Sequence, residues 1–92
     1  MIKTFRHKGL EAFFQRGSMA GIQAIHAKRL RELLTALNVA ISPGDLARPS
    51  WRLHSLSGDR AGFWSLTVQA NWRLVFRFDG TDVELLDYLD YH

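Results

Sequence analysis

The polar and apolar positions of the chain change period twice. Ile2-Lys3-Thr4-Phe5 alternates, as a short half-buried strand does when successive side chains point to opposite faces. Over residues 8–16 the period lengthens: Leu10, Phe13 and Phe14 recur at helical spacing, and Gly17 stands where a C-terminal cap is expected. Ser18-Met19-Ala20-Gly21 is a short connection. A longer helix is predicted over residues 22–37, with Ile22, Ile25, Leu30, Leu33, Leu34 and Leu37 on one stripe and Lys28, Arg31 and Glu32 off it. Two helices so joined form a hairpin whose apolar faces need a second layer.

The rest of the chain supplies that layer. Ser42-Pro43-Gly44-Asp45 is turn chemistry, and Pro49 keeps the following stretch out of helix. Trp51-Arg52-Leu53-His54 alternates, residues 55–62 form a loop, and a strand is predicted over residues 63–68. The strongest strand signal is Trp72-Arg73-Leu74-Val75-Phe76-Arg77-Phe78. Asp79-Gly80 is a hairpin turn signal, after which residues 83–88 pair back. The predicted class is α+β: an N-terminal strand and a two-helix hairpin packed on a mainly antiparallel sheet of about five strands.

Composition agrees with one domain spanning residues 1–92, since 47% of the residues are hydrophobic and 12% aromatic. There is no cysteine, hence no disulfide and no thiolate metal ligand. The start Met-Ile-Lys-Thr-Phe-Arg leads into no long apolar run, so neither a signal peptide nor a membrane contact is expected, and a cytoplasmic location is. Charge is distributed unevenly. Residues 1–31 carry seven basic residues against Glu11, a net of +6, while residues 32–92 carry five arginines against eight acids, a net of −3. A basic N-terminal third suits a polyanionic partner through counterion release, and it equally describes a solvated helix face.

Strand alternation sharpens that ambiguity. Trp72, Leu74, Phe76 and Phe78 share one face of their strand; Arg73, Val75 and Arg77 share the other. In the same way Arg52 and His54 are expected opposite Trp51 and Leu53. If the aromatic face meets the helices, the opposite face is a cationic groove, or an ordinary solvent face with arginines lying over aromatic edges. His54, Arg73 and the terminal Asp90-Tyr91-His92 are the groups with chemistry to offer. RNA cleavage by internal transfer needs a base for the 2′-hydroxyl, an acid for the departing 5′-oxygen, and positive charge on the phosphorane-like transition state. Histidine serves as base or acid, Asp90 as base or as the group orienting an imidazole, Arg73 as a bidentate phosphate clamp, and Tyr91 as a stacking or hydroxyl group. No metal or other cofactor is needed; His54, Asp90 and His92 match no strong zinc-ligand spacing. The duller readings are a strand-end histidine, a surface ion pair at Asp90 and a frayed terminus.

Four strings in order carry a resemblance. They are Trp51-Arg52-Leu53-His54, then Leu56-x-Gly58-Asp59-Arg60-x-Gly62-x-Trp64-Ser65, then Asn71-Trp72-Arg73-Leu74-x-Phe76, and finally Asp87-Tyr88-x-Asp90-Tyr91-His92. With the opening Met-Ile-Lys-Thr-Phe-Arg-His-Lys-Gly-Leu, they make the whole chain resemble the HigB branch of the RelE-type toxins. The resemblance implies the microbial RelE-like fold and ribosome-dependent cleavage of translated mRNA in the decoding site of the 70S ribosome. It also implies a helix-turn-helix antitoxin of HigA type, held in a hetero-oligomer. Catalytic positions carried over by it are His54, Arg73, Asp90, Tyr91 and His92, with Asp90 or His54 as base, His92 as acid and Arg73 on the scissile phosphate. Lys8, Arg52, Ser57, Arg60 and Arg77 are the expected RNA contacts. Ser57 is a departure, because many relatives carry lysine just before Gly58-Asp59-Arg60. That substitution keeps open a second expectation, a RelE-fold module that blocks translation by occupying the ribosome without cutting. A DNA-binding role is disfavoured, since the second helix is too apolar along its stripe to expose a recognition face. The loop of residues 55–62 and the basic helices are the expected antitoxin surface.

Overall fold

The computed structural model describes residues 1–91; His92 lies outside the described residues. Four strands form an antiparallel meander in the order β1 (His54–Ser55), β2 (Trp64–Gln69), β3 (Trp72–Asp79) and β4 (Asp82–Asp90). Asp79 pairs with Asp82, and Gly80-Thr81 closes the β3–β4 hairpin between them, Gly80 at φ +62° in the left-handed conformation that glycine adopts without strain. Register is fixed by Leu66↔Leu74↔Tyr88 and Ser65↔Val75↔Asp87 across the three long strands.

The expected N-terminal strand runs parallel to β4 on its free edge but touches it at two separate bridges, Ile2↔Val83 and Phe5↔Leu86. A bulge explains the gap. The pairing of β3 with β4 shifts between Val75 and Arg77, and Leu85 takes φ +55°. The Leu85 amide donates to Thr4 Oγ1 at 2.9 Å, so a polar side chain of the N-terminal segment satisfies the donor that the bulge turns out of the ladder. The sheet therefore has four paired strands and a stitched fifth edge, close to the expected five.

Helix α1 (Lys8–Arg16) forms over the expected residues. His7 caps it, its Nδ1 accepting the Leu10 amide, and Gly17 ends it at φ +73° with its amide on Phe13 O. Helix α2 (Ala27–Val39) starts later than the apolar stripe suggested, because Ala24–His26 is a single 3₁₀ turn. The tighter turn shifts the phase: His26 and Ala27 turn inward, and Ile25, expected on the buried stripe, is 75% exposed. The connection before it comes close to α1, since a Cβ on Gly9 would stand 2.8 Å from the Gly21 Cα. Two glycines thus let backbone meet backbone where the hairpin closes.

Residues 51–54 also depart from expectation. Pro49–Trp51 is a 3₁₀ turn and Arg52 sits at φ +49°, so only His54–Ser55 pair as strand. Proline sets the first helical position, and the left-handed residue after the turn resets the side-chain alternation. Arg52 is exposed but no longer shares a sheet face with His54 through strand register.

Between the layers lie Leu10 and Phe13 of α1, Leu30, Leu33, Leu34 and Leu37 of α2, and Leu66, Val68, Leu74, Phe76, Leu86 and Tyr88 of the sheet. Each fully buried Leu or Phe contributes about 1.5–3 kcal/mol of transfer free energy, the main stabilising term in a chain without disulfides. Among the described residues no helix is long and apolar enough to cross a membrane.

Candidate nucleic-acid interface and active site

Alternation along β3 separates its two faces as expected at the ends and not in the middle. Leu74 and Phe76 are buried under the helices; Arg77 is exposed and Arg73 half-exposed on the other side. Val75 lies between the two arginines yet is 2% exposed, beside Ser65 of β2 at 6%. The open face is therefore two polar ends parted by a closed centre.

At the far end, Arg77 Nε donates to Glu84 Oε2, forming an ion pair, and the Arg77 guanidinium lies 5.7 Å from the Phe63 ring centroid. Arg6 approaches the same ring at 5.5 Å. Each cation stacks on the π-face while keeping contact with water. The charge of Arg77 is answered within the protein.

At the near end, Arg73 Nη1 donates to the carbonyls of Ala70 and Trp72, at the β2–β3 turn. Backbone dipoles fix the guanidinium without neutralising it, and among the described residues no carboxylate lies within ion-pair distance of it. Tyr91 follows, its amide on Asn71 O at 2.8 Å, so the ladder continues one residue past β4 and alternation carries the phenol to the Arg73 side. The Arg60 guanidinium, from the loop between β1 and β2, lies 5.8 Å from the Tyr91 ring centroid. That loop is a 3₁₀ turn over Gly58–Arg60, closed by Leu56 and Phe63 backbone bonds and by left-handed Gly58 and Gly62. Ser57 precedes it, exposed.

His54 pairs with Ser65, which pairs with Val75. It is exposed on the Arg73 side, two strand spacings over, or roughly 10 Å, and one pleat repeat, roughly 7 Å, along. A phosphodiester and the reach of both side chains fit that interval. Asp90 does not share this side. It pairs with Trp72, so its carboxyl emerges on the helix-facing surface at the end of the sheet. Lys8 is exposed at the first residue of α1. Arg73, Tyr91, Arg60 and His54 are thus brought to one side, Asp90 comes to the rim from the other, Arg77 stands apart, and His92 lies outside the described residues.

A second polar cluster was missed by sequence reasoning. Beneath the Asp90 end, His26 is 3% exposed and its Nδ1 lies 2.6 Å from Tyr88 Oη. The same hydroxyl accepts the Gln23 amide at 3.4 Å. Trp72 lies over Tyr88 with centroids 4.7 Å apart, His26 meets both rings edge-on, and His7 meets Tyr88 at 5.2 Å. Burial pushes the Tyr88 phenol above its ordinary pKa, against a smaller opposite pull from the Gln23 amide. A shallow cleft of about 430 Å³, lined by His7, Gly21, Gln23, Trp72 and Tyr88, opens onto the cluster. The available signal was a histidine directly beside the apolar stripe, next to Ile25 and Ala27. Among the described residues no group of three or more His, Asp or Glu side chains could hold a metal ion.

Residues 3–92 match the family model described as the RelE-like toxin of type II toxin–antitoxin system HigB. The chain is 46% identical, over the full length of both proteins, to the endoribonuclease HigB of Proteus vulgaris. Its fold is similar to that of a YoeB–YefM complex from Staphylococcus aureus (TM-score 0.64, 17% identity, covering 100% of this chain and 98% of that one). It is also similar to YafQ from an Escherichia coli BL21(DE3) strain (TM-score 0.61, 14% identity, covering 96% and 91%).

Proposed function

The chain belongs to the HigB family of RelE-like type II toxins, and from that premise we propose that it is an endoribonuclease that cuts translated mRNA on the ribosome. The observation that carries the reading is Arg73, a guanidinium fixed by two backbone carbonyls beside Tyr91, with no carboxylate of the described residues within ion-pair distance. Such a preorganised cation stabilises developing phosphorane charge without reorganising during the reaction.

The chemistry is transfer within the RNA and needs no metal. A 2′-hydroxyl loses its proton and attacks the adjacent phosphorus, the bond to the 5′-oxygen breaks, and that oxygen takes up a proton. His54, on the Arg73 side, is the base in this scheme. His92 is the acid by family resemblance, with Asp90 orienting it from the rim. Tyr91, backed by Arg60, supplies a face on which a base stacks. Lys8, Arg52, Ser57 and Arg60 contact RNA or ribosome, with Arg60 standing in for the lysine that relatives carry at the Ser57 position. The cytoplasm, where ribosomes and mRNA are found, is its compartment. A HigA-type antitoxin neutralises it, docking through the loop of residues 55–62 and the basic helices.

Purified protein incubated with mRNA, with and without 70S ribosomes and without added metal, tests the proposal by mapping new 5′ ends. Cuts within the reading frame only when ribosomes are present are the expected result. Translation arrest without new ends would replace the nuclease with a module acting by occupancy.

A further inference from the structure

The His26–Tyr88–Trp72 cluster lies on the helix side of the sheet, away from Arg73, and none of the proposed steps uses it. Its position along the strands gives it a role. Tyr88 precedes Asp90 by two residues on β4, and Trp72 is the direct cross-strand partner of Asp90. Residues two apart on a strand, and residues paired across strands, share a face, so the Asp90 carboxyl stands beside the Trp72–Tyr88 aromatic pair.

The last residues of a strand fray unless contacts beyond the ladder fix them. Here the ladder pairs Asp90 with Trp72 and Tyr91 with Asn71, and further contacts come from outside the sheet. Gly9 and Gly21 bring the connection between the helices against α1. That approach sets the Gln23 amide on Tyr88 Oη, and the following 3₁₀ turn points His26 at the same oxygen. With Gln23 donating to Oη, a phenolic proton given to Nδ1 satisfies hydroxyl and imidazole together and leaves the imidazole proton on Nε2. Both side chains are buried, so the bond is made in a low-dielectric setting where an unmade partner is costly.

We infer that His26 and Tyr88 are positioning residues for the active site, clamping the end of β4 so that Asp90 is held at the rim and Tyr91 on the Arg73 side. The assignment rests on the nuclease reading for its kinetic consequence, but not for its structural one. Neither residue touches RNA; both act through Asp90.

Four variants of the full chain test it: Tyr88→Phe, His26→Leu, the two combined, and His26→Asn, whose amide reproduces the Nδ1 position. Two measurements are made on each, with thermal unfolding as the control for folding. The first is the order parameter of the Asp90 and Tyr91 amides by ¹⁵N relaxation, without RNA. The second is mRNA cleavage on programmed ribosomes, separated into kcat and KM. The clamp predicts that Tyr88→Phe and His26→Leu lower the Asp90 and Tyr91 order parameters while those of Leu74 and Phe76 stay unchanged. It predicts a kcat loss of about 10- to 100-fold with KM within about twofold, as for a misplacement of about 1 Å at a reacting group. The double variant is no worse than either single one, and His26→Asn recovers most of the rate. Unchanged order at Asp90, multiplied losses in the double variant, or no recovery in His26→Asn would overturn the inference. If the parent protein makes no cuts at all, the nuclease reading fails, and the order parameters still decide the clamp.

Discussion

Arg73 and Arg77 stand four residues apart on one face of one strand, and the structure treats them in opposite ways. Arg77 is ion-paired to Glu84 and stacked on Phe63, so its charge belongs to the fold. Arg73 is gripped by two carbonyls, which orient it, and among the described residues no carboxylate pairs with its charge. Between them Val75 and Ser65 are buried, so the face is not a continuous cationic groove. A pattern of alternating arginines establishes a face; only the neighbours across the strands establish which arginine is available.

The largest expected effect comes from removing support common to both ends. Phe76 is fully buried behind them, and Phe76→Ala should cost about 3–5 kcal/mol, seen as a lower midpoint in urea unfolding. A much smaller cost would mean that the two ends are not held by one core.

Glu84→Gln is the sharper cut, because it releases Arg77 while leaving its stacking on Phe63. Binding to single-stranded RNA should tighten a few-fold, with log K falling more steeply against log salt by about 0.7. An unchanged slope would mean that Arg77 was already available, and the contrast between the two arginines would go.

The smallest effect is expected at Lys3 and Asp79, an exposed pair tying the N-terminal segment to the β3–β4 turn. The bond between them raises the Lys3 pKa and lowers that of Asp79. Whatever stability Asp79 adds is present above its unfolded value and lost as pH falls through its lower folded one. The contribution of Lys3 is present below its unfolded value and lost as pH rises through its higher folded one. Exposure and salt screening make both slight, so Lys3→Ala should leave the unfolding midpoint at pH 7 nearly unchanged.

Periodicity made most of the fold legible. The residues of α1 and its Gly17 cap, the β3 alternation and the Asp79-Gly80 hairpin all follow from local signals that tertiary contacts reinforce. The failures have one physical form, a single tight turn that resets the phase. Ala24–His26 moved Ile25 out and His26 in, and Pro49–Trp51 with left-handed Arg52 shortened the first strand of the meander to two residues. The same phase shift hid the His26–Tyr88 cluster, since the stripe as read along the helix gave His26 no buried place and no partner 62 residues away. Within the candidate site, the family resemblance supplied residues and roles. Register then brought Tyr91 to the Arg73 side and Asp90 to the other, which alternation alone reveals once the Trp72↔Asp90 pairing is known.

Single-turnover cleavage of one mRNA on programmed ribosomes, comparing Arg73→Ala with Arg77→Ala, tests the central contrast most directly. The account predicts a loss of about 10²–10³-fold for Arg73→Ala, the scale of removing a preorganised stabiliser of transition-state charge, and less than about threefold for Arg77→Ala. Equal losses, or the larger loss at Arg77, would contradict it.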